Sequence, residues 1–164
     1  MGESARLSFT PLGAAAQAQN QPSSRAAVGV GGAWRLTETA RRSAGGMWEA
    51  RPAPQGGLYV FTGRHYSYFY IPGPEPRARF ANPNQPTDAE RAATYGSFIA
   101  GAGSYTFDGS TLALKADFRK NPNEMNGDIW RLQAQLQGDR LQLVFVNPPF
   151  LPGGEYRMVL VRAE

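Results

Sequence analysis

Short stretches of alternating apolar and polar residues, separated by turns rich in glycine and proline, recur from Ala33 to Arg162 of this chain. The clearest, Thr111 to Phe118, places Leu112 and every second residue after it on one apolar face, which we expect to point inward. Alternation with a period of two is typical of a strand with one buried face. The expected fold is therefore all-β, an up-and-down antiparallel β-barrel of about eight to nine strands, because closing the sheet removes its edges.

One segment has the pattern of a helix. Thr87 and Glu90 have the spacing of a capping box, in which the side chain of each accepts a hydrogen bond from the backbone N–H of the other. This pattern predicts one α-helix, inserted midway along the barrel and ending near Ile99. Residues 72–86 before it predict a long loop, because their prolines lack the backbone donor that a sheet interior needs.

Both faces of the segment His65–Ile71 are substantially apolar, so alternation alone does not decide which face points inward. Tyr66, Tyr68 and Tyr70 share one of these faces. They would either line a cavity, where each tyrosine supplies apolar area and a hydroxyl group, or form an outer ladder covered by the 72–86 loop and the helix.

The start of the chain differs from the rest. Residues 1–30 are expected to be a disordered leader and linker, and residues 31–164 are expected to form the folded barrel domain. Ala16-Gln17-Ala18 has the A-x-A pattern of a secretory cleavage site. It predicts the remnant of a signal peptide and hence a periplasmic or secreted protein. A plain disordered tail on a cytoplasmic protein is the alternative.

The composition excludes several kinds of site. The chain has no cysteine, so it can form no disulfide, thiol nucleophile or thiolate metal site. Its formal charge of +4 comes mainly from arginines that are scattered along the chain, which argues against nucleic-acid binding. No apolar run approaches the roughly 20 residues of a membrane-spanning helix. We expect no metal, no cofactor, no nucleic-acid partner and no integral membrane segment.

A glycine hinge precedes the first predicted strand. Gly31 and Gly32 let the chain turn tightly, and Trp34 just after them can plug one end of a barrel. This opening resembles the Gly-x-Trp signature of the calycin barrels, and of lipocalins in particular. Together with three further segments, it resembles the bacterial lipocalin-like domain family over most of the chain. The further segments are residues 57–67, 105–109 and 138–143.

The resemblance implies a lipocalin-like barrel whose internal pocket holds a small hydrophobic or amphipathic molecule, which the protein would carry or sequester. It also implies that an arginine of the last strand stacks on the signature tryptophan and closes the barrel by a cation–π contact. Arg162 is the first candidate for this contact with Trp34, and Arg157 is the second. The resemblance fixes neither the ligand nor the oligomeric state.

The side chains expected to form the pocket are those on the inward faces of the strands, and most of them are aromatic. Phe150 and Leu151 belong instead to a loop and, with residues 72–86, would suit a surface for a protein partner. The predicted ligand-binding residues are Leu36, Glu38, Phe61, Tyr66, Tyr68, Tyr70, Tyr105, Phe107, Trp130 and Phe145.

An isomerase or cyclase-type enzyme that uses acid–base groups in the same pocket is the alternative function. Its catalytic candidates are Glu38, which shares a face with Trp34, the single histidine His65, and Tyr66. Glu38 and His65 each also have an interpretation that involves no catalysis. A twist or bulge would bring Glu38 to solvent, and a histidine beside a turn suits a surface position.

Overall fold

Consecutive strands of the chain pair with one another as hairpins. The structure is a computed structural model that describes residues 29–164; the expected leader and its Ala16-Gln17-Ala18 pattern lie outside the described residues. No helix in the described part of the chain is long and apolar enough to cross a membrane. The elements are β1 (Gly32–Arg42), β2 (Glu49–Ala50), β3 (Gly56–Phe61), β4 (His65–Ile71), α1 (Asp88–Gly96), β5 (Ile99–Phe107), β6 (Thr111–Arg119), β7 (Ile129–Gln137), β8 (Arg140–Val146) and β9 (Glu155–Arg162).

The nine strands form one antiparallel sheet that closes on itself when β1 pairs with β9. Strand β2 lies outside the ring of the other eight, because it pairs only with the far end of β1, where Ala40 faces Ala50. The prediction of an all-β, up-and-down antiparallel barrel with one inserted helix is thus confirmed. Closure leaves an interior that is bounded by side chains from every strand of the ring.

One end of the barrel is closed around Trp34. This side chain is fully buried, and its Nε1 donates a hydrogen bond to the carbonyl oxygen of Val30 at 2.7 Å. The guanidinium of Arg162 lies 4.1 Å from the centre of the indole ring, and its Nη1 donates to the carbonyl oxygen of Gly31 at 2.8 Å. Val30 itself is 1% exposed, so its side chain packs into this closed end together with the indole.

Arg157, the second candidate for the contact with Trp34, lies elsewhere. Its guanidinium is 4.7 Å from the ring centre of Trp48, and the guanidinium of Arg42 is 4.8 Å from the same ring.

The glycine at position 32 allows the side chain of Arg162 to lie close to the backbone at the closed end. Its φ is 120°, and a Cβ there would lie 2.8 Å from Nη1 of Arg162.

A bulge in β1 exchanges the faces of the residues that follow it. The register against β9 shifts between Leu36 and Glu38, so Thr37 is an additional residue in the strand. Leu36 is buried before the bulge, whereas after it Thr39 is buried and Glu38 is exposed. The expectation that Glu38 faces inward beside Leu36 is therefore wrong, because one extra residue turns every following side chain to the other face.

A second bulge, in β6, likewise exchanges the faces of the residues that follow it. The register against β5 shifts between Ala102 and Gly103, which leaves Asp117 as the additional residue. The alternation predicts that Phe118 faces inward, but its side chain is 54% exposed on the outside of the barrel. Arg119, the next residue, points inward instead and is 2% exposed.

The helix is present, with the capping box that the sequence predicts. The backbone N–H of Glu90 donates to Oγ1 of Thr87 at 3.2 Å, and the N–H of Thr87 donates to Oε2 of Glu90 at 2.7 Å. The helix ends at Gly96 rather than near Ile99, because Ile99 already pairs with Tyr70 as the first residue of β5.

Candidate ligand-binding cavity

A cavity of about 820 Å³ lies inside the barrel. Its deep walls are aliphatic and aromatic, and Leu112 and Leu132 are among them. Its margin includes the exposed residues Arg51, Pro52 and Phe150, so the cavity opens to solvent at the end opposite Trp34. This opening is bounded by the loops after β1, β4, β6 and β8, whereas the short hairpins lie at the closed end.

Tyrosines of β3 and β4 form one wall of the cavity. Tyr66, Tyr68 and Tyr70 are all buried and line it, which decides the orientation that the sequence left open. Tyr59 of β3 also lines the cavity, and its ring stacks on that of Tyr68 with 5.0 Å between ring centres. Burial raises the pKa of each hydroxyl, to about 12 for Tyr66. At neutral pH these hydroxyls are therefore protonated and can donate hydrogen bonds.

These raised pKa values predict that the barrel loses stability in alkaline solution. The unfolded chain releases tyrosine protons near pH 10, whereas burial makes the folded chain retain those of Tyr59, Tyr66 and Tyr70 to higher pH. We expect the free energy of unfolding to fall as the pH rises from about 10 to about 12, because the folded state then binds more protons. Tyrosinate absorbance with denaturant unfolding at each pH measures this, and a constant stability over that range would contradict it.

A buried cation lies against the tyrosine wall. The guanidinium of Arg119 is 4.0 Å from the ring centre of Trp130, 5.4 Å from that of Tyr68 and 5.6 Å from that of Tyr66. Its Nη1 donates a hydrogen bond to Oη of Tyr68. Its Nε is buried without a hydrogen-bond partner, and so is Oη of Tyr66, within residues 29–164. None of the ion pairs among those residues includes Arg119.

Two backbone features bring Arg119 into the cavity. The bulge at Asp117 turns the side chain inward, and Gly101 on the neighbouring strand leaves room for it. A Cβ at Gly101 would lie 2.8 Å from Nη1 of Arg119 and 2.9 Å from the ring of Tyr68. Arg119 is not among the ligand-binding residues predicted from the sequence. The signal was available, because glycines inside a strand, here Gly101 and Gly103, often mark a bulge or a close approach.

Six of the ten predicted ligand-binding residues line the cavity. Leu36 is buried in the closed end and does not reach the cavity. Tyr105 and Phe107 are partly buried and lie outside the lining; Oη of Tyr105 donates to the carbonyl oxygen of Thr62 at 2.7 Å. The predicted residues that line the cavity are Phe61, Tyr66, Tyr68, Tyr70, Trp130 and Phe145. Lining residues that the sequence analysis did not identify include Thr39, Tyr59, Arg119, Phe150, Tyr156 and Met158.

Two of the three catalytic candidates lie on the outer surface. Glu38 is exposed and forms an ion pair with Arg140 at 3.2 Å. His65 is exposed at the start of β4, beside the hairpin at the closed end of the barrel. Only Tyr66 faces the cavity, so the three side chains do not form one acid–base site.

Within residues 29–164, no group of three or more His, Asp and Glu side chains is placed to hold a metal ion. No protein-family model matches the chain. Comparison with curated proteins also gives no significant match.

Proposed function

We propose that this protein binds a small hydrophobic or amphipathic molecule in the barrel cavity and carries or sequesters it. The observation that supports this most directly is the cavity of about 820 Å³, open at one end and lined mainly by aromatic and aliphatic side chains. Protein cores are normally packed without such spaces. Cavities of roughly 300–1,000 Å³ with an apolar lining and a few polar groups are typical of small-molecule sites.

The resemblance to the lipocalin-like domain family supports the same function, and we propose membership of that family. In such a barrel one end is plugged and the other admits the ligand. The contact of Arg162 with Trp34 fits the plugged end, and the margin that includes Arg51 and Phe150 fits the open one. A periplasmic or secreted location, which the Ala16-Gln17-Ala18 pattern favours, would suit a carrier.

Binding without turnover is favoured over an isomerase or cyclase activity by the charged groups of the cavity. Acid–base chemistry needs a group that exchanges a proton near the working pH. Burial raises the pKa of Tyr66 to about 12, and Glu38 and His65 lie outside the cavity. The one carboxylate in the lining, Glu124, lies at the margin and accepts a hydrogen bond from Asn121. The aromatic and aliphatic side chains that form most of the lining are suited to holding a ligand by apolar contact, and the tyrosine hydroxyls by hydrogen bonds.

A neutral fluorescent probe tests this function. We expect N-phenyl-naphthylamine to bind saturably, with one molecule per chain and a blue-shifted, enhanced emission, because the cavity excludes much of the surrounding water. Leu132→Trp extends an indole into the cavity and should weaken binding by at least about tenfold, or 1.4 kcal/mol. Thermal unfolding of the variant measures whether the barrel is still folded.

The matched control is the next residue along β7. Gln133 is exposed on the outer face, so Gln133→Trp adds the same side chain to the same strand without entering the cavity. It should leave probe affinity within about twofold of the parent protein. Equal weakening by both variants, or no saturable binding by the parent protein, would contradict a cavity-bound ligand.

A further inference from the structure

We propose that Arg119, Tyr66 and Tyr68 form an anion site that binds the carboxylate head group of a ligand whose apolar part occupies the rest of the cavity. This inference rests on the proposed function and specifies its ligand class, an amphipathic monocarboxylic acid. Arg119 supplies the positive charge, and the two tyrosines supply hydroxyl groups on the same wall.

The charge of Arg119 has no counter-ion within residues 29–164. A guanidinium that is only 2% exposed needs an anion or a full set of hydrogen bonds, since an unpaired buried charge is unfavourable. Stacking on Trp130 at 4.0 Å offsets part of this, but it leaves Nε without an acceptor within residues 29–164. Arg119 lines an open cavity, so an anionic ligand in the cavity can approach the guanidinium from that side.

The neighbouring hydroxyls point to an acceptor with more than one oxygen. Oη of Tyr66 is buried without a partner, and Oη of Tyr68 accepts from Arg119 and keeps its own proton to donate. The rings of Tyr66 and Tyr68 lie 6.1 Å apart and nearly parallel. Burial raises the pKa of both hydroxyls, so at neutral pH they donate to an anion rather than repel it.

A carboxylate fits these groups better than a doubly charged anion. One guanidinium carries one positive charge, and its planar fork matches the two oxygens of a carboxylate. The remaining lining is aromatic and aliphatic, which suits an attached hydrocarbon chain. The head group and the apolar part of the cavity together select an amphipathic acid over a small polar anion.

The charges along the margin of the cavity favour the same ligand class. Arg51 and Lys120 line it together with a single carboxylate, Glu124, which accepts a hydrogen bond from Asn121 at 3.3 Å. Arg41 also lines it but forms an ion pair with Glu49 at 3.5 Å. A cavity lined with an excess of positive charge attracts anions and raises their rate of association. The bulge in β1 contributes to this balance, because it keeps the carboxylate of Glu38 outside the barrel.

Three probes that share one chain but differ in head group test the proposal: dodecanoate, dodecanol and dodecyltrimethylammonium. Each competes with N-phenyl-naphthylamine for the full-length protein, at concentrations below micelle formation. We expect dodecanoate to bind at least about tenfold more tightly than dodecanol, a difference of 1.4 kcal/mol, and the cation to bind most weakly.

Two variants locate the head group. Arg119→Gln should remove the preference for dodecanoate over dodecanol while leaving dodecanol affinity within about threefold. Tyr66→Phe deletes a buried hydroxyl that has no hydrogen-bond partner within residues 29–164, so it should not lower the unfolding midpoint. It should nevertheless weaken dodecanoate several-fold, and a purely structural role would not produce that separation.

The possible results distinguish this inference from the function on which it rests. Equal affinities for the three probes, or a preference for dodecanoate that survives in both variants, would overturn the anion site and leave cavity binding intact. A lower affinity of Tyr66→Phe for all three probes alike would also overturn it. Failure of every probe to compete, together with no saturable binding of N-phenyl-naphthylamine, would overturn the proposed function itself.

Discussion

Replacing Trp34 with alanine is expected to lower the free energy of unfolding by about 3–5 kcal/mol, the usual cost of removing a large buried aromatic side chain. The loss should lie at the upper end of that range. The substitution removes a fully buried indole, its hydrogen bond to Val30 and the surface against which Arg162 stacks. A domain of this size has a total stability of only about 5–15 kcal/mol, so the variant should unfold at a much lower denaturant concentration.

Two substitutions separate the contributions to this effect. Trp34→Phe keeps an aromatic ring at the closed end but loses the Nε1 donor, so we expect an intermediate loss. Trp48→Ala removes a half-buried tryptophan that lies between two arginines on the outside of the barrel, and it should cost only about 1 kcal/mol. Equal losses for Trp34→Ala and Trp48→Ala would mean that the closed end does not depend on its buried ring.

Gly103→Ala is expected to destabilise the barrel by about 3 kcal/mol or more, above the usual range for overpacking. A Cβ at Gly103 would lie 2.0 Å from the carbonyl oxygen of Lys115 and 2.9 Å from the backbone nitrogen of Asp117. Both contacts are with backbone, so β5 and β6 would have to separate at the bulge. Urea unfolding measures the loss, and the preference for dodecanoate should fall with it because the bulge positions Arg119.

The control for this substitution is another glycine at a strand position. Gly56 begins β3, and a Cβ there would meet no atom within 4 Å. Gly56→Ala should therefore change the stability by less than about 1 kcal/mol, and alanine can even stabilise by restricting the unfolded chain. A loss for Gly56→Ala as large as that for Gly103→Ala would show that the bulge is not the cause.

The sequence was sufficient to predict the architecture because the architecture depends on periodicity. Leu132 and Ala134 on β7, like Leu141 and Leu143 on β8, alternate without interruption, and all four are buried. In such a strand the alternation alone decides which face is buried. Short turns between consecutive strands then make them pair as neighbours, so few arrangements of the sheet are possible. The capping box at Thr87 likewise depends on local spacing alone.

The polar part of the candidate site could not be predicted in the same way. The inward positions of Thr39 and Arg119 depend on bulges, and a bulge is defined by the pairing of two strands rather than by the sequence of one. Glycine at position 103 signals that a bulge is possible on the partner strand, but it does not specify which residue becomes the additional one. The tyrosine face of β4 was ambiguous for a simpler reason, since Phe69 and Ile71 on its other face are also apolar.

The bulge at Asp117 means that spacing along the chain does not decide which face Arg119 occupies. Phe118 pairs with Ala102 and Arg119 with Gly101, whereas Asp117 has no partner on β5. A barrel that lacked this one residue would keep both pairs in a regular ladder, and its arginine would still point inward. Counting residues from Leu114 would therefore assign the arginine to opposite faces in two barrels that hold it in the same place, so such barrels are compared correctly by strand pairing and not by sequence spacing.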